Sequence, residues 1–234
     1  MLFRSKYIYK KKKYSVGSCK HADLSVFSFH PLKTITTGEG GAICTNNKYF
    51  NNRIKILRSH GIIKDKENFW KYNCIEHGYN YRLSDINCAL GLSQLKKINK
   101  FINYRKKISL YYKNRLSNFD GFIKLPLYKS NNYSSWHLFI ILLNFQRLKS
   151  SKDNFIKFLK RKNIFCQFHY IPIYKFSIYK NIKRLLPGAE AYYKQAVSIP
   201  IFYNLKKKEQ IKIIDTISAF IKKRSEEHTS ELQS

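Results

Sequence analysis

The chain has 234 residues, of which 44% are hydrophobic and 16% aromatic, so it is long enough to bury one large core or two small ones. The apolar stretch WHLFIILLNF has about half of the roughly 20 residues that a membrane-spanning helix needs. The N-terminal MLFRSKYIYKKKKY lacks the apolar stretch of a secretory signal. The five cysteines form no C-x-x-C pair, which argues against a zinc site and a disulfide framework, so a cytoplasmic protein without a metal is expected.

The formal net charge of +31 has two interpretations. A nucleic-acid-binding module would contact phosphates through basic residues, clustered with aromatic residues along a groove. Here the lysines are dispersed, and the abundance of Lys, Asn, Ile, Tyr and Phe is typical of AT-rich codons. Composition therefore explains the charge better, and neither a nucleic acid nor a membrane is expected as a partner. A basic nucleic-acid-binding module stays the alternative from another functional class.

Apolar patterns and capping residues predict alternating strands and helices. The predicted elements are strands at Val26–Phe29 and Ala42–Thr45, a helix capped by Ser84 and running to Ile98, a helix over Phe101–Leu116, a strand over Trp136–Asn144, a helix opened by a Ser150-x-x-Asp153 capping box, a strand over Ile164–His169, a short helix over Ala189–Ala196, and a last helix with Ile211, Ile214, Ile217 and Ile221 on one face. The loop SNFDGF indicates a domain boundary. This order predicts an α/β part followed by a smaller α+β part.

The stretch SVFSFHPLKTITTGEGGAICTNN places Lys33 in a Thr- and Gly-rich connection between two apolar strands. A lysine amine can form a Schiff base with a carbonyl compound such as pyridoxal phosphate, whose ring then serves as an electron sink. Hydroxyls and backbone amides such as those at Ser28, Thr36 and Thr37 are suited to binding a phosphate. By itself the pattern is weak, because most Gly-rich connections are simple turns and most lysines are surface residues.

The segment FSFHPLKTITTGEGGAICTNN closely resembles the cofactor-lysine segment of the DegT/StrS-type sugar-nucleotide aminotransferases, which depend on pyridoxal phosphate. The resemblance continues, in the family's order, through LRSHGI, GYNYRLSDINCALGLSQLKKI, SSWHLF, QFHYIPIY and AEAYYKQAVSIPIF. It implies an α/β fold, namely a partial large domain of the aspartate-aminotransferase-like fold (fold type I) followed by a smaller α+β C-terminal domain.

Within this resemblance, Lys33 falls on the family's Schiff-base lysine and Ser28 on a serine that hydrogen-bonds the cofactor phosphate. Asn80 falls on an asparagine that reaches the phosphate from the neighbouring subunit, and Arg82 lies in the same segment. His169 and Tyr170 fall in a segment that lines the nucleotide-sugar pocket. The resemblance therefore implies catalysis by Lys33, cofactor binding by Lys33, Ser28 and Asn80, substrate binding by Arg82, His169 and Tyr170, and a homodimer with a shared active site.

The segment QFHYIPIYKFSIY most resembles the family branch that acts in pseudaminic acid biosynthesis. That branch transfers an amino group from L-glutamate to C4 of a UDP-linked 4-keto-6-deoxy-N-acetylhexosamine. Another 3- or 4-keto nucleotide sugar, for example a dTDP-sugar, stays open as the acceptor.

Both ends of the chain resemble translated sequencing adapters, so residues 1–5 and 224–234 are expected to be artefacts. Residues 6–100 are expected to be a remnant of the cofactor-binding large domain, 101–117 a linking helix and 118–223 the C-terminal small domain. The family's pyridinium-binding carboxylate, phosphate-cradling loop and ring-stacking residue lie upstream of the segments matched here. The chain is therefore expected to be an N-terminally truncated, inactive and poorly soluble fragment, with part of a sheet uncovered.

Overall fold

The computed structural model describes residues 5–68, 70–127, 132–179 and 186–231. Residues 1–4 and 232–234, which belong to the two end segments singled out in the sequence, lie outside the described residues. The chain divides into two compact units. Unit 1 consists of Met1–Phe101 and Lys129–Ser135, and unit 2 consists of Ile102–Tyr128 and Trp136–Ser234.

The described residues form short strands and longer helices in alternation. The strands are β1 (Lys6–Tyr9), β2 (Lys12–Ser15), β3 (Ser25–Ser28), β4 (Gly41–Cys44), β5 (Ile62–Lys64), β6 (Tyr72–Cys74), β7 (Ile123–Lys124), β8 (Asn132–Tyr133), β9 (Phe139–Leu143) and β10 (Ala196–Ile199). The helices are α1 (Lys48–Arg58), α2 (Asp85–Lys96), α3 (Ile98–Leu116), α4 (Lys152–Arg161), α5 (Pro187–Gln195) and α6 (Lys207–Glu231). Single 3-10 turns lie at Ser117–Phe119, Ile173–Lys175 and Ser177–Tyr179.

Unit 1 is built on three small antiparallel sheets, ordered β2–β1–β8, β3–β4 and β5–β6. In the β3–β4 pair, Ser28 lies opposite Gly41 and Val26 opposite Ile43. The connection between these two strands contains Lys33. Helix α2 begins as predicted, since the Ser84 side chain accepts a hydrogen bond from the backbone N–H of Asn87.

Unit 2 has the larger core. Its sheet is antiparallel in the order β10–β9–β7, and alternate residues of β9 are fully buried. Aromatic and aliphatic side chains of α3, α4 and α6 pack with this sheet, and Tyr112 donates a hydrogen bond to the carbonyl of Pro200 at 2.9 Å. The buried Arg105 donates from Nη1 to the carbonyls of Trp136, His137 and Ile201. Burial lowers the pKa of Arg105 to about 10, so it stays charged at neutral pH.

Three predictions about the secondary structure are wrong. Helix α4 is capped by Ser151 rather than Ser150, because the Ser151 side chain accepts from the backbone N–H of Asn154. The segment 164–169 is no strand, since it pairs only at the single bridge between Gln167 and Ser198. Ile211 is 40% exposed, and α6 instead buries Ile213 beside Ile214, Ile217 and Ile221.

Candidate active site

Lys33 lies in the tight connection that joins β3 to β4. Its backbone N–H donates to the carbonyl of His30 at 2.9 Å, which closes a turn at the His-Pro-Leu-Lys sequence. The side chain is half-buried, and no group in the described part of the chain pairs with its amine. An amine that is held in a fixed turn and left without an ion pair is available for reaction with a carbonyl group.

Hydroxyl groups fix the backbone of this connection. The Thr36 hydroxyl donates to the carbonyl of Phe29 at 2.8 Å and accepts from the N–H of Gly38 at 2.9 Å. The Thr37 hydroxyl donates to the carbonyl of Glu39 at 2.6 Å. Because these bonds are local, the turn keeps its shape without using the Lys33 side chain.

Helix α2 supports the connection from one side. Gln94 accepts a hydrogen bond from the backbone N–H of Thr36 through Oε1 at 3.2 Å. Gly91 brings the helix close to Thr37, since a Cβ added at Gly91 would lie 2.7 Å from the Thr37 methyl carbon. The DINCALGLSQL segment therefore holds the lysine-bearing connection in place.

Ser28 lies at the end of β3, five residues before Lys33. It is half-buried, and its Oγ accepts a hydrogen bond of 3.4 Å from the N–H of His30. Because a hydroxyl has both donor and acceptor capacity, this contact leaves the O–H of Ser28 able to donate to an anion. Ser28 and Lys33 therefore belong to one structural feature, the β3–β4 connection.

Asn80 and Arg82 form a second cluster in unit 1, together with His60. The Arg82 Nε donates to Asn80 Oδ1 at 3.4 Å, and Nη2 lies 3.3 Å from His60 Nε2. A guanidinium has only donors, so a hydrogen bond between these two atoms requires His60 Nε2 to accept. Asn80 and Arg82 are both exposed, and they present N–H groups suited to a phosphate or carboxylate.

Two glycines explain the backbone geometry of this cluster. Gly61 has a φ of +71°, and a Cβ there would overlap the carbonyl of Glu76. A Cβ at Gly78 would overlap the backbone N of Gly61, so the two chain segments cross in direct backbone contact. The crossing places His60 beside the GYNYR segment, where Tyr79 and Tyr81 stack at 4.8 Å.

A cavity of about 530 Å³ adjoins the cluster. Four of its lining residues are basic or can become so, namely Lys55, His60, Lys64 and Arg82, while Ile56 and Ile62 line part of the wall. This lining suits an anionic ligand with an apolar part.

His169 and Tyr170 belong to unit 2. His169 Nδ1 lies 2.8 Å from the hydroxyl of Ser198, which is buried on β10, so the ring is tied to the core sheet. The rings of His169 and Tyr170 meet edge to face at 4.7 Å, and Tyr170 is 70% exposed. The core thus fixes His169, while the Tyr170 side chain faces solvent.

The predicted residues therefore fall into three groups. Ser28 and Lys33 share the β3–β4 connection, Asn80 and Arg82 share the His60 cluster, and His169 adjoins Tyr170. Sequence reasoning missed the supporting contacts of Gln94 and Ser198, because nothing in a local pattern marks a long-range hydrogen bond. His60 was not among the predicted site residues either, although it lies in the LRSHGI motif, and its contact with Arg82 is also long-range in the sequence.

The described part of the chain contains no group of three or more His, Cys, Asp or Glu side chains placed to hold a metal ion. Within that same part, every helix is too short or too polar to cross a bilayer.

Comparisons with known proteins identify the family. A model of the DegT/DnrJ/EryC1/StrS aminotransferase family matches residues 9–218. The chain is 42% identical over 219 residues to a UDP-4-amino-4,6-dideoxy-N-acetyl-beta-L-altrosamine transaminase of Campylobacter jejuni, covering 92% of this chain and 56% of that protein. It thus spans about half the length of the curated relatives it matches.

The comparison with solved structures agrees with this family match. The Helicobacter pylori aminotransferase PseC, described as involved in the biosynthesis of pseudoaminic acid, superposes with a TM-score of 0.82 at 32% identity, over 93% of this chain and 57% of that one. A putative sugar aminotransferase of Streptococcus pneumoniae in its PLP form superposes with a TM-score of 0.81 at 25% identity, over 95% and 56%. The predicted α/β fold of the aspartate-aminotransferase type is confirmed, and the chain belongs to the DegT/DnrJ/EryC1/StrS aminotransferase family.

Proposed function

We propose that this chain carries the cofactor lysine and part of the substrate site of a pyridoxal-phosphate-dependent sugar-nucleotide aminotransferase. The observation that carries the proposal is the Lys33 amine, which lies in a rigid turn and has no pairing partner in the described residues. The family match and the PLP form of the Streptococcus relative support the choice of cofactor.

The residues present fit the cofactor. Pyridoxal phosphate, when bound, supplies a ring that withdraws electrons from the carbon whose amino group is transferred. Ser28 contributes an O–H donor from the same connection, and Asn80 contributes N–H donors for the cofactor phosphate. Asn80 is proposed to serve the site of a second subunit, so the enzyme is a homodimer.

Lys33 is the proposed proton carrier. Its Nζ takes a proton from the donor amino acid and returns one at C4 of the sugar, so that the amino group moves and glutamate leaves as 2-oxoglutarate. The hydroxyl bonds of Thr36 and Thr37 hold the turn while the amine moves. The half-buried position limits water access to the amine.

The proposed acceptor is a UDP-linked 4-keto-6-deoxy-N-acetylhexosamine, and the proposed donor is L-glutamate. The printed names of the Campylobacter and Helicobacter relatives support this choice. Arg82 is proposed to contact the anionic part of the substrate, and His169 and Tyr170 the nucleotide-sugar. The Ser198 contact fixes the His169 ring for that role.

Product analysis tests the proposal. The longest natural protein that carries this chain is incubated with pyridoxal phosphate, L-glutamate and a panel of UDP- and dTDP-linked 3- and 4-ketosugars. We expect a 4-amino UDP-sugar together with an equal amount of 2-oxoglutarate. The Lys33→Ala variant should lose turnover by about 10³-fold or more, as for removal of a group that acts only in the transition state.

The control is Lys20→Ala, which removes an exposed lysine of the same unit. It should leave turnover unchanged. Amination of a different ketosugar would change the proposed substrate while keeping the reaction class. Turnover that survives in the Lys33→Ala variant would contradict the proposed role of this lysine.

A further inference from the structure

Two cysteines share one site at the base of the β3–β4 pair. The Cys19 S–H donates to the carbonyl of Cys44 at 3.1 Å, and Cys19 Sγ lies 3.6 Å from the hydroxyl of Ser25. Ser25 and Cys44 are directly opposed in the antiparallel register. Directly opposed side chains lie on one face of the sheet with Cβ atoms about 4.5–5.5 Å apart. The Cys19 sulfur therefore lies on the face where the Cys44 side chain projects.

The surrounding chain holds this arrangement. Asn46 donates from Nδ2 to the carbonyls of Ser18 and Cys19 at 2.8 and 3.1 Å, and the Thr45 hydroxyl donates to the carbonyl of Asp23 at 2.8 Å. The backbone of Cys19 has a φ of +49°, a left-handed conformation that is uncommon for residues other than glycine. The two segments are thus tied to each other by three hydrogen bonds besides the thiol contact.

We propose that Cys19 and Cys44 form a reversible intramolecular disulfide when the protein meets a peroxide. The contacts of Cys19 Sγ with Cys44 and Ser25 carry the inference, and it is independent of the aminotransferase activity. The bond would close a ring of chain that contains Ser28 and Lys33, and it would fix the base of the connection that bears them.

The chemistry needs one equivalent of hydrogen peroxide. The Cys19 thiolate attacks one peroxide oxygen, the O–O bond breaks, and Cys19 becomes a sulfenic acid while water leaves. The Cys44 sulfur then attacks the Cys19 sulfur, the S–O bond breaks, and a second water leaves. The two thiols together lose two electrons and two protons, and the peroxide is reduced to water.

The order of the two steps follows from the surroundings of Cys44. Burial and the neighbouring Cys19 thiol raise the pKa of Cys44, so less of it is thiolate at neutral pH. The first oxidation is therefore assigned to Cys19, whose sulfur makes the contacts with Cys44 and Ser25. Cys166, whose pKa burial raises to about 12, serves as an unreactive internal reference.

The test is peptide mapping of the intact chain. The folded protein is treated with about one equivalent of hydrogen peroxide, alkylated with N-ethylmaleimide and digested with trypsin. The linked peptides 14–20 and 34–48 should exceed any other cross-link by about tenfold or more, because two thiols held together react at a high effective concentration. Dithiothreitol should restore both thiols.

Variants and denaturant complete the test. Cys19→Ser should leave Cys44 reduced, and Cys74→Ser, which removes the exposed thiol, should leave the linked peptides unchanged. In denaturing urea the most abundant disulfide should instead link Cys74 to Cys88, because fewer residues separate these two cysteines than any other pair in the chain. Absence of the 14–20/34–48 link in the folded protein would overturn the proposal. An equal yield of this link in urea would also overturn the proposal, as would loss of the Cys44 thiol in the Cys19→Ser variant.

Discussion

Lys33 owes its proposed role to the turn in which it lies, not to its residue type. The chain has 45 lysines and arginines, and composition alone gives Lys33 no distinction. Its turn is closed by backbone and hydroxyl bonds that leave the amine unused by any described group. The resemblance of the surrounding motif predicted its role, and that role stays a proposal until the lysine is labelled.

We expect the buried Arg105 to stabilise the core of unit 2. Replacing it with Met keeps much of the apolar stem but removes the guanidinium that donates to the carbonyls of Trp136, His137 and Ile201, and the Ile201 contact is buried. We expect Arg105→Met to lower the free energy of unfolding by about 3 kcal/mol, as for loss of a charged partner of buried polar groups. Urea unfolding followed by Trp136 fluorescence, in a Trp70→Phe background, measures the change.

The matched control lies on the same helix. Arg115 is 3.8 Å from Asp215, and both side chains are more than half exposed. Because solvent screens such a pair, Arg115→Met should change the free energy of unfolding by less than about 1 kcal/mol. Equal effects of the two variants would mean that the buried contacts of Arg105 do not stabilise the unit.

Among the described elements, the sequence predicted five of the six helices and three of the ten strands, and it placed several ends wrongly. Ser84 was correct as the cap of α2, because an N-cap followed by an acidic first turn is a local signal. The β1–β2 hairpin was missed, since its turn places Lys10 and Lys11 at φ of 45° and 61°, where Asn-Gly is the usual signal. The contacts of Gln94 and Ser198 were missed because they depend on tertiary packing.

Helix α4 provides a direct test of a corrected helix end. Ser151 accepts from the N–H of Asn154 at 3.1 Å, whereas the Ser150 hydroxyl is buried with no partner among the described residues. Ser151→Ala should lower the free energy of unfolding of unit 2 by about 1 kcal/mol. Ser150→Ala should leave it unchanged or raise it slightly, because an unsatisfied polar group is removed. If urea unfolding showed a larger loss of free energy of unfolding for Ser150→Ala than for Ser151→Ala, Ser150 would be the cap, as the sequence predicted.

Helix α5 is expected to loosen in acid. Hydrogen bonds from Lys175 and then Tyr174 lower the pKa of Glu190 below its ordinary value of 4.5. A carboxyl whose pKa is lower in the folded state stabilises the fold above its unfolded pKa and loses that contribution as the pH falls through the folded pKa. Amide hydrogen exchange of α5, corrected for intrinsic rates, should therefore accelerate below about pH 4.5.

Two variants check this assignment. Glu190→Gln should give exchange that is faster at neutral pH and no longer depends on this acid transition. Glu39→Gln, which alters an exposed carboxylate of unit 1, should leave the α5 profile unchanged. An acid transition of α5 that persists in Glu190→Gln would assign it to another group.

At the scale of the whole molecule, the fold class was predictable because several motifs occur in the family's order along most of the chain. The family match over residues 9–218 and the superposition on PseC confirm it. Composition was less informative than the motifs, since a net charge of +31 is compatible both with a nucleic-acid-binding protein and with an enzyme encoded by AT-rich codons. The predicted domain limits at 100 and 117 stay predictions, as do the residues assigned to the site.

Reductive trapping of the cofactor determines whether Lys33 forms the Schiff base with pyridoxal phosphate. The longest natural protein that carries this chain is incubated with pyridoxal phosphate, reduced with borohydride, digested and mapped by mass spectrometry. We expect a stable phosphopyridoxyl label on Lys33, lost in Lys33→Arg and retained in Lys20→Arg. A label confined to another lysine, or none at all under conditions that label a known aminotransferase, would contradict this expectation.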